Sequence, residues 1–321
     1  MTQTHPPDAI DRDRLVETLL ELLAFDTQNP PGETVTIVDY LEDQLQAAGL
    51  KTQRLICADQ KPNLVAWFPG EPAPDLVLQG HLDTVPFDRE AWSTDPLGER
   101  DGATIYGRGA TDMKGALAGM LEVARTYLET ESTPAVPLGF AFVSDEEVAD
   151  ENAAVAALDR FDERPSACVI GEQTGTPERP SVAAADRGNV WLRLEATGTA
   201  AHGSRPPAGD NAIDRLYDTI DRLREELRGV EFDLPAEVEE LLPDTAAYYA
   251  PAMGEEMARE LFHRPTINLG TFHGGEAINS VPASARAALD IRLTAGVAAP
   301  PICDRIRSFL AEEAGVAIDS I

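Results

Sequence analysis

The chain has 321 residues, too many for one core of ordinary size, so two domains are expected. Its 26 Lys+Arg against 56 Asp+Glu leave a formal net charge of −30. That balance excludes a nucleic-acid partner, whose phosphates need clustered basic charge, and docking on anionic membranes; a hydrophobic fraction of 43% excludes an acidic disordered chain.

Leu15, Leu19 and Leu22 predict an amphipathic helix that stops before Asn29-Pro30-Pro31-Gly32, and Val35, Val38, Leu41, Leu45 and Ala48 predict a second, ended by Gly49. Strands are expected near 51–56 and 63–68, followed by DLVLQG (75–80), a short apolar run of the buried kind. From Asp112 a helix carries Met113, Leu117, Met120, Leu121, Ala124 and Leu128 on one face. VPLGFAFV (136–143) is another buried strand, then a helix near 149–158 and a short strand ACVI (167–170). Strands and helices in alternation predict an α/β catalytic domain over 1–185, with a largely parallel sheet and helices on both faces.

The pattern changes near residue 186. In 189–196 and 285–293 apolar and polar residues alternate, the mark of an antiparallel sheet with one wet face. Between them a helix from Asp210 turns Ile213, Leu216, Ile220, Leu223 and Leu227 inward, and an acidic helical stretch spans 235–262. Residues 186–295 are thus expected to form an inserted α+β domain. After 295 a helix (Ile302, Ile306, Phe309, Leu310) leads into GVAIDSI, taken as the start of a return to the catalytic domain over 296–321.

Lysine occurs only at 51, 61 and 114, the other 23 basic residues being arginine. Acid along the whole chain with so little lysine is the composition of a halophile's cytosolic protein, and self-repulsion on this scale predicts a fold that needs salt. Cys57, Cys168 and Cys303 lie far apart, without the spacing of a disulfide framework or a thiolate zinc site. The N-terminal stretch is polar and acidic, unlike a signal peptide. No apolar run approaches the ~20 residues of a membrane span, so a cytoplasmic location is expected.

The chemistry collects where the buried strands end. His81 and Asp83 follow 75–80, Asp145, Glu146 and Glu147 follow 136–143, and Glu172 follows 167–170. In open α/β sheets ligands bind beyond the carboxyl ends of strands, so three strands deliver histidine or carboxylate to one edge. Asp112 heads its helix after GRGATD, where it is either an N-cap or a further ligand. One histidine among several carboxylates suits zinc, and more carboxylates than one zinc needs suggest two metals sharing a bridging water.

GHLDTVP (80–86), YGRGATDMKG (106–115), SDEE (144–147) and VIGEQ (169–173) resemble, in order and spacing, the zinc-dependent aminoacylase/carboxypeptidase family of metallopeptidases, which includes acetylornithine deacetylase and succinyl-diaminopimelate desuccinylase. The resemblance implies that His81, Asp112 and Glu172 hold a first metal and Asp112 and Glu147 a second, with cobalt or manganese as alternatives to zinc. It implies that Asp83 orients His81 and that Glu146 is the general base. The 186–295 insert resembles the family's dimerisation lid, which implies a homodimer. His202, in AAHGSRPPAGDNAI, then reaches the partner's site, and Asn279 and Arg292 contact substrate. The family continues for roughly a hundred residues past the point matched by residue 321 and there carries the last histidine ligand of the second metal; the five histidines, at 5, 81, 202, 263 and 273, include no match to it. A C-terminally truncated chain with a deficient second site is therefore expected. The activity implied is removal of an N-acyl group from an amino acid that keeps its α-carboxylate, with a dipeptidase or carboxypeptidase of the same family, or a catalytically deficient fragment, as alternatives.

Overall fold

The computed structural model describes residues 9–58, 60–70, 73–148, 165–176, 179 and 181–321. The chain divides into two compact units, Met1–Ser181 and Val182–Ile321.

The first unit comprises α1 (Arg12–Leu23), α2 (Val35–Ala47), β1 (Lys51–Ala58), β2 (Lys61–Trp67), β3 (Leu76–His81), the short pair β4 (Glu99–Asp101) and β5 (Thr104–Tyr106), α3 (Lys114–Glu129), β6 (Leu138–Val143) and β7 (Ala167–Ile170). Asp11 caps α1, its carboxylate accepting from the N–H groups of Asp13 and Arg14. The main sheet runs β1-β2-β6-β3-β7. It is mixed: β3 lies parallel to β6 and β7, whereas β1–β2 and β2–β6 are antiparallel. The expectation of a largely parallel sheet is corrected at this edge, where a tight connection brings Ala58 opposite Lys61; so short a link can join only antiparallel strands. The parallel centre is reached through the long crossover carrying α3. The helices α1, α2 and α3 bury Leu22, Leu23, Ile37, Leu41, Leu117 and Leu121 against Phe140 and Phe142 of β6. The opposite face holds a small cluster of Val65, Val77, Ala141 and Val143. The helix expected near 149–158 lies outside the described residues.

The second unit comprises β8 (Gly188–Thr197), β9 (Ala201–His202), α4 (Ala212–Arg228), α5 (Ala236–Met253), α6 (Glu255–Glu260), β10 (Thr266–Gly274), β11 (Ser280–Val281), β12 (Ser284–Leu293), α7 (Ala299–Ala311) and β13 (Val316–Ser320). The sheet runs β10-β12-β8-β13, antiparallel throughout. The alternation in β8 and β12 is realised as buried Val190, Leu192 and Leu194 beside buried Leu289, Ile291 and Leu293. Leu216, Ile220, Leu223 and Leu227 of α4 cover that face, and Asn211 caps the helix by accepting from the N–H groups of Ile213 and Asp214.

Residues 296–321 do not begin a return to the first unit. Val316 pairs with Ala196 and Ile318 with Leu194, and Ile302, Ile306 and Leu310 of α7 join the same core. Val316 and Ile318 alternate with outward residues, so the segment forms a one-sided strand of the second sheet, not a strand buried on both faces. Among the described residues no helix is long and apolar enough to cross a membrane.

Candidate metal centre

His81 ends β3, the strand flanked by β6 and β7, and its register partner is Val143, the last residue of β6. The backbone continues the ladder past the strand ends: Leu82 N–H donates to the Val143 carbonyl at 2.7 Å, and Gly171 N–H to the Gln79 carbonyl at 3.0 Å. The segments after β6 and β7 therefore emerge on either side of His81. A Cβ on Gly80 would meet the Leu117 and Met113 side chains at 2.7 Å, so this glycine lets α3 pack close enough to bring Asp112 to the same edge.

His81 Nε2 lies 2.9 Å from Asp112 Oδ1 and 3.1 Å from Glu172 Oε1. Donor atoms of His81, Asp112 and Glu147 all lie within 4.8 Å of one another. The capping alternative for Asp112 falls away: the N-cap of α3 is Met113, with no side-chain cap. On its other side His81 Nδ1 is 2.9 Å from the Asp83 backbone oxygen and 3.4 Å from Asp83 Oδ1. A carbonyl oxygen can only accept, so Nδ1 carries a proton and, in the neutral ring, the Nε2 lone pair faces the carboxylates.

Asp83 is fully buried. It accepts from Asn29 Nδ2 at 2.7 Å and from the N–H groups of Glu146 and Glu147, each at 3.1 Å. Asn29, itself buried, also donates to Asp145 Oδ1 at 2.6 Å. Lys61 Nζ binds Asp145 Oδ2 at 2.8 Å and Asn29 Oδ1 at 3.3 Å. This network ties the SDEE loop to β3. The sequence places Asp145 at this edge, but nothing in it singles out Asn29 or Lys61; for Lys61 one signal is available, since the chain has three lysines and two serve this region. Lys114, the second, is 1% exposed and donates to the Phe25 carbonyl at 2.7 Å; burial pushes its amine down to about 8, against the raising effect of Asp26.

The field at the cluster is strongly negative. Burial and the charge of Asp112 push both Glu147 and Glu172 above the usual carboxylate range. Burial opposes a charge on His81, but its bond to Asp83 and the charges of Asp83, Glu172 and Glu146 outweigh this and raise it to about 9. Burial likewise opposes ionised Asp83, and the hydrogen bonds from His81, Asn29, Glu146 and Glu147 overcome it and hold its pKa down. One imidazole nitrogen and three carboxylates in such a field fit a divalent cation. The 2.9–3.1 Å separations are near the ~3.3 Å expected between tetrahedral ligands about 2.0 Å from zinc.

The remaining candidates belong to the second unit. His202 is exposed on β9, whose partner β11 sets Ser280 opposite it. Gly203 N–H donates to the Asn279 carbonyl at 2.7 Å, so His202 and Asn279 come together on this two-strand clamp. Ser204 N–H donates to His202 Nδ1 at 3.1 Å, which leaves Nε2 as the protonated, outward nitrogen of the neutral ring. Arg292 lies elsewhere, near the far end of β12 from that clamp, opposite Thr266 and Asn189, with its Nε 2.9 Å from Asp290 Oδ1.

Residues 63–202 match the family model "Peptidase family M28" and residues 184–317 match "Peptidase dimerisation domain". The chain is 28% identical to a probable succinyl-diaminopimelate desuccinylase of Staphylococcus epidermidis, over 86% of this chain and 67% of that protein. It is 31% identical to acetylornithine deacetylase of Pasteurella multocida, over 80% of this chain and 60% of that one. The chain thus spans about two thirds of the length of the curated relatives it matches. An M20 family metallo-carboxypeptidase from Sulfolobus solfataricus has the same fold, with a TM-score of 0.71 at 20% identity, over 96% of this chain and 78% of that one. Fold, site and comparisons define the class as a metallopeptidase-type domain joined to a dimerisation domain. Within that class the chain is a relative of the M20 metallopeptidases, a family that implies binding of a divalent metal.

Proposed function

We propose that the chain is a metal-dependent amidohydrolase that removes the N-acyl group from an amino acid, in the manner of an acetylornithine deacetylase or succinyl-diaminopimelate desuccinylase. The observation that carries this reading is the convergence of His81 Nε2, Asp112, Glu147 and Glu172 at the carboxyl end of the sheet, with the N–H groups of Glu146 and Glu147 anchored on buried Asp83. His81, Asp112 and Glu172 would hold zinc, and Asp112 with Glu147 a second ion, with cobalt or manganese able to substitute. When bound, such ions polarise an amide carbonyl and make water a stronger acid. Asp83 and its own carbonyl keep the His81 proton on Nδ1, so Nε2 stays free to ligate. Glu146, exposed beside the cluster, takes a proton from the attacking water and returns it to the leaving amine. His202, with its Nε2–H turned outward, suits donation to the oxyanion of a second copy in a cytoplasmic homodimer built through 184–317. Asn279 and Arg292 contact the substrate, Arg292 gripping a carboxylate.

The test is elemental analysis and hydrolysis of N-acetyl and N-succinyl amino acids and dipeptides by protein purified in molar KCl, before and after chelation. Bound divalent metal, and N-acyl hydrolysis that chelation abolishes and zinc restores, are expected. Cleavage confined to dipeptides would favour a peptidase, and metal-independent cleavage or none would overturn the reading.

A further inference from the structure

On the loops that lead to and from the metal cluster, within the first unit, lies a concavity of about 510 Å³ that no role above uses. Its lining includes Phe87, Trp92, Tyr106 and Arg108, with Asp88 in the wall. Phe87 and Trp92 meet edge to face, centroids 6.2 Å apart, and the Arg108 guanidinium carbon lies 5.5 Å from the Trp92 ring centre. Arg108 Nε is buried, and among the described residues it has no hydrogen-bond partner and its guanidinium forms no ion pair. That is unusual in a chain with 56 acids and 26 basic residues. The acid in the pocket lining is otherwise engaged: Asp88 Oδ1 accepts from Glu90 N–H at 3.0 Å. Arg89, nearby, is paired with Asp95.

The position of Arg108 is fixed by backbone. Its N–H donates to the Pro96 carbonyl at 2.7 Å, and a Cβ on the preceding Gly107 would meet Leu23 at 2.9 Å, so the strand-to-helix turn is pressed onto α1. The opposite wall is fixed to the metal cluster. Val85 N–H donates to Glu147 Oε1 at 3.2 Å, and Phe87 N–H to Gln28 Oε1 at 2.8 Å. Arg108 precedes Asp112 by four residues and Phe87 follows Asp83 by four. The concavity and the ligand cluster therefore share both of their connecting loops.

We propose that Phe87, Trp92, Tyr106 and Arg108 form a carboxylate-binding subsite at the rim of the metal centre, which takes an anionic group carried on an apolar or flat body. Arginine stacked on an aromatic face keeps its edge free for bidentate contact with a carboxylate. In molar salt the Debye length is about 3 Å, so the net negative charge of the chain no longer repels an anion and this local contact decides. Resting on the amidohydrolase reading, the subsite selects substrates that carry an acidic group on the side chain or acyl group over those that do not.

The test needs no turnover. Tryptophan fluorescence of the whole protein in molar KCl is titrated with 3-phenylpropionate and with its neutral amide. The carboxylate is expected to bind about tenfold or more tightly than the amide, with a signal that Trp92→Phe removes. Arg108→Met is expected to bring the carboxylate down to the amide's affinity, and Arg108→Lys to fall between. Equal affinities in the unaltered protein overturn the subsite, whether or not the variants fold. So does a carboxylate preference that survives Arg108→Met, which would place the anion on the metal instead. A chain that hydrolyses no N-acyl amino acid yet shows the Arg108-dependent preference would sink the amidohydrolase reading and leave the subsite standing.

Discussion

As neutral rings, two histidines, one in each unit, take opposite tautomers. His81 gives its Nδ1 proton to the Asp83 carbonyl and turns Nε2 toward Asp112 and Glu172 from a fully buried position. His202 receives the Ser204 N–H on Nδ1 and presents a protonated Nε2 from an exposed two-residue strand. The first is arranged as an acceptor of a cation, the second as a donor. The supporting structure differs in the same sense: His81 rests on a buried polar network in which each member satisfies another, while His202 is placed by its own backbone ladder. Buried polar groups are costly when a partner is lost, whereas exposed ones are replaced by water at little cost. Function and stability should therefore be coupled in the first unit and separable in the second.

The largest effect expected is on chemistry alone. Glu146 is exposed, and its fixed point is the N–H bond to Asp83, not its carboxylate. Glu146→Gln keeps that N–H, so metal content should be unchanged while N-acyl hydrolysis falls by about 10²–10⁴-fold, the usual worth of a general base. Rates within a fewfold of the unaltered enzyme, with zinc measured in parallel, would remove Glu146 from the reaction.

Next comes the independence of the two cores. Leu22 is fully buried in the first core and Leu216 in the second. Truncation of either to alanine should cost about 2–5 kcal/mol. Hydrogen exchange read peptide by peptide should show lost protection in the unit that carries the change and little elsewhere. Equal loss in both units would mean that they unfold as one, and the comparison between them would have to be redrawn.

Asn29→Ala tests the coupling claimed for the first unit. It strips a donor from Asp83 and from Asp145 at once, leaving two carboxylates underpaired in a buried setting. A stability loss of about 1–3 kcal/mol is expected from denaturant unfolding. Divalent-metal affinity should fall about 10–100-fold, as for other groups that orient ligands. A stability loss with unchanged metal affinity would show that the network holds the fold but does not position His81.

Much of this centre was legible because strand burial and chemistry are written side by side. LVLQG, LGFAFV and ACVI are largely apolar and lead within two residues to His81, to Asp145-Glu146-Glu147 and to Glu172, so the sheet edge is legible from the sequence. Asn29 and Lys61 carry no such pattern. Asn29 follows a helix and precedes two prolines, Lys61 lies between two expected strands, and only tertiary packing brings both to Asp145. Residues 296–321 misled for a related reason. Val316 and Ile318 are too few to distinguish a strand buried on both faces from one buried on a single face, and only the pairing with Ala196 and Leu194 decides. In the sequence Asp112 reads equally as cap and as ligand because both uses put an acid ahead of a helix; the 2.9 Å approach to His81 Nε2 favours the ligand.

The smallest structural effect should come from His202→Ala, and that makes it the sharpest test of the contrast. The side chain is exposed and, among the described residues, bonded only to its neighbour Ser204, and the β9–β11 pairing that places it runs through backbone. Stability should change by no more than about 0.5 kcal/mol, and metal content should not change, because none of the cluster residues belongs to this unit. If Nε2–H donates to the oxyanion, turnover should nevertheless fall by about 10²-fold or more, in kcat and in kcat/KM alike, since an interaction made only in the transition state affects both equally. His202→Asn, which keeps a donor but not its reach, should recover little. A loss carried by KM alone would make His202 a contact to the ground-state substrate, and an unchanged rate would leave the second unit with assembly as its only part in catalysis.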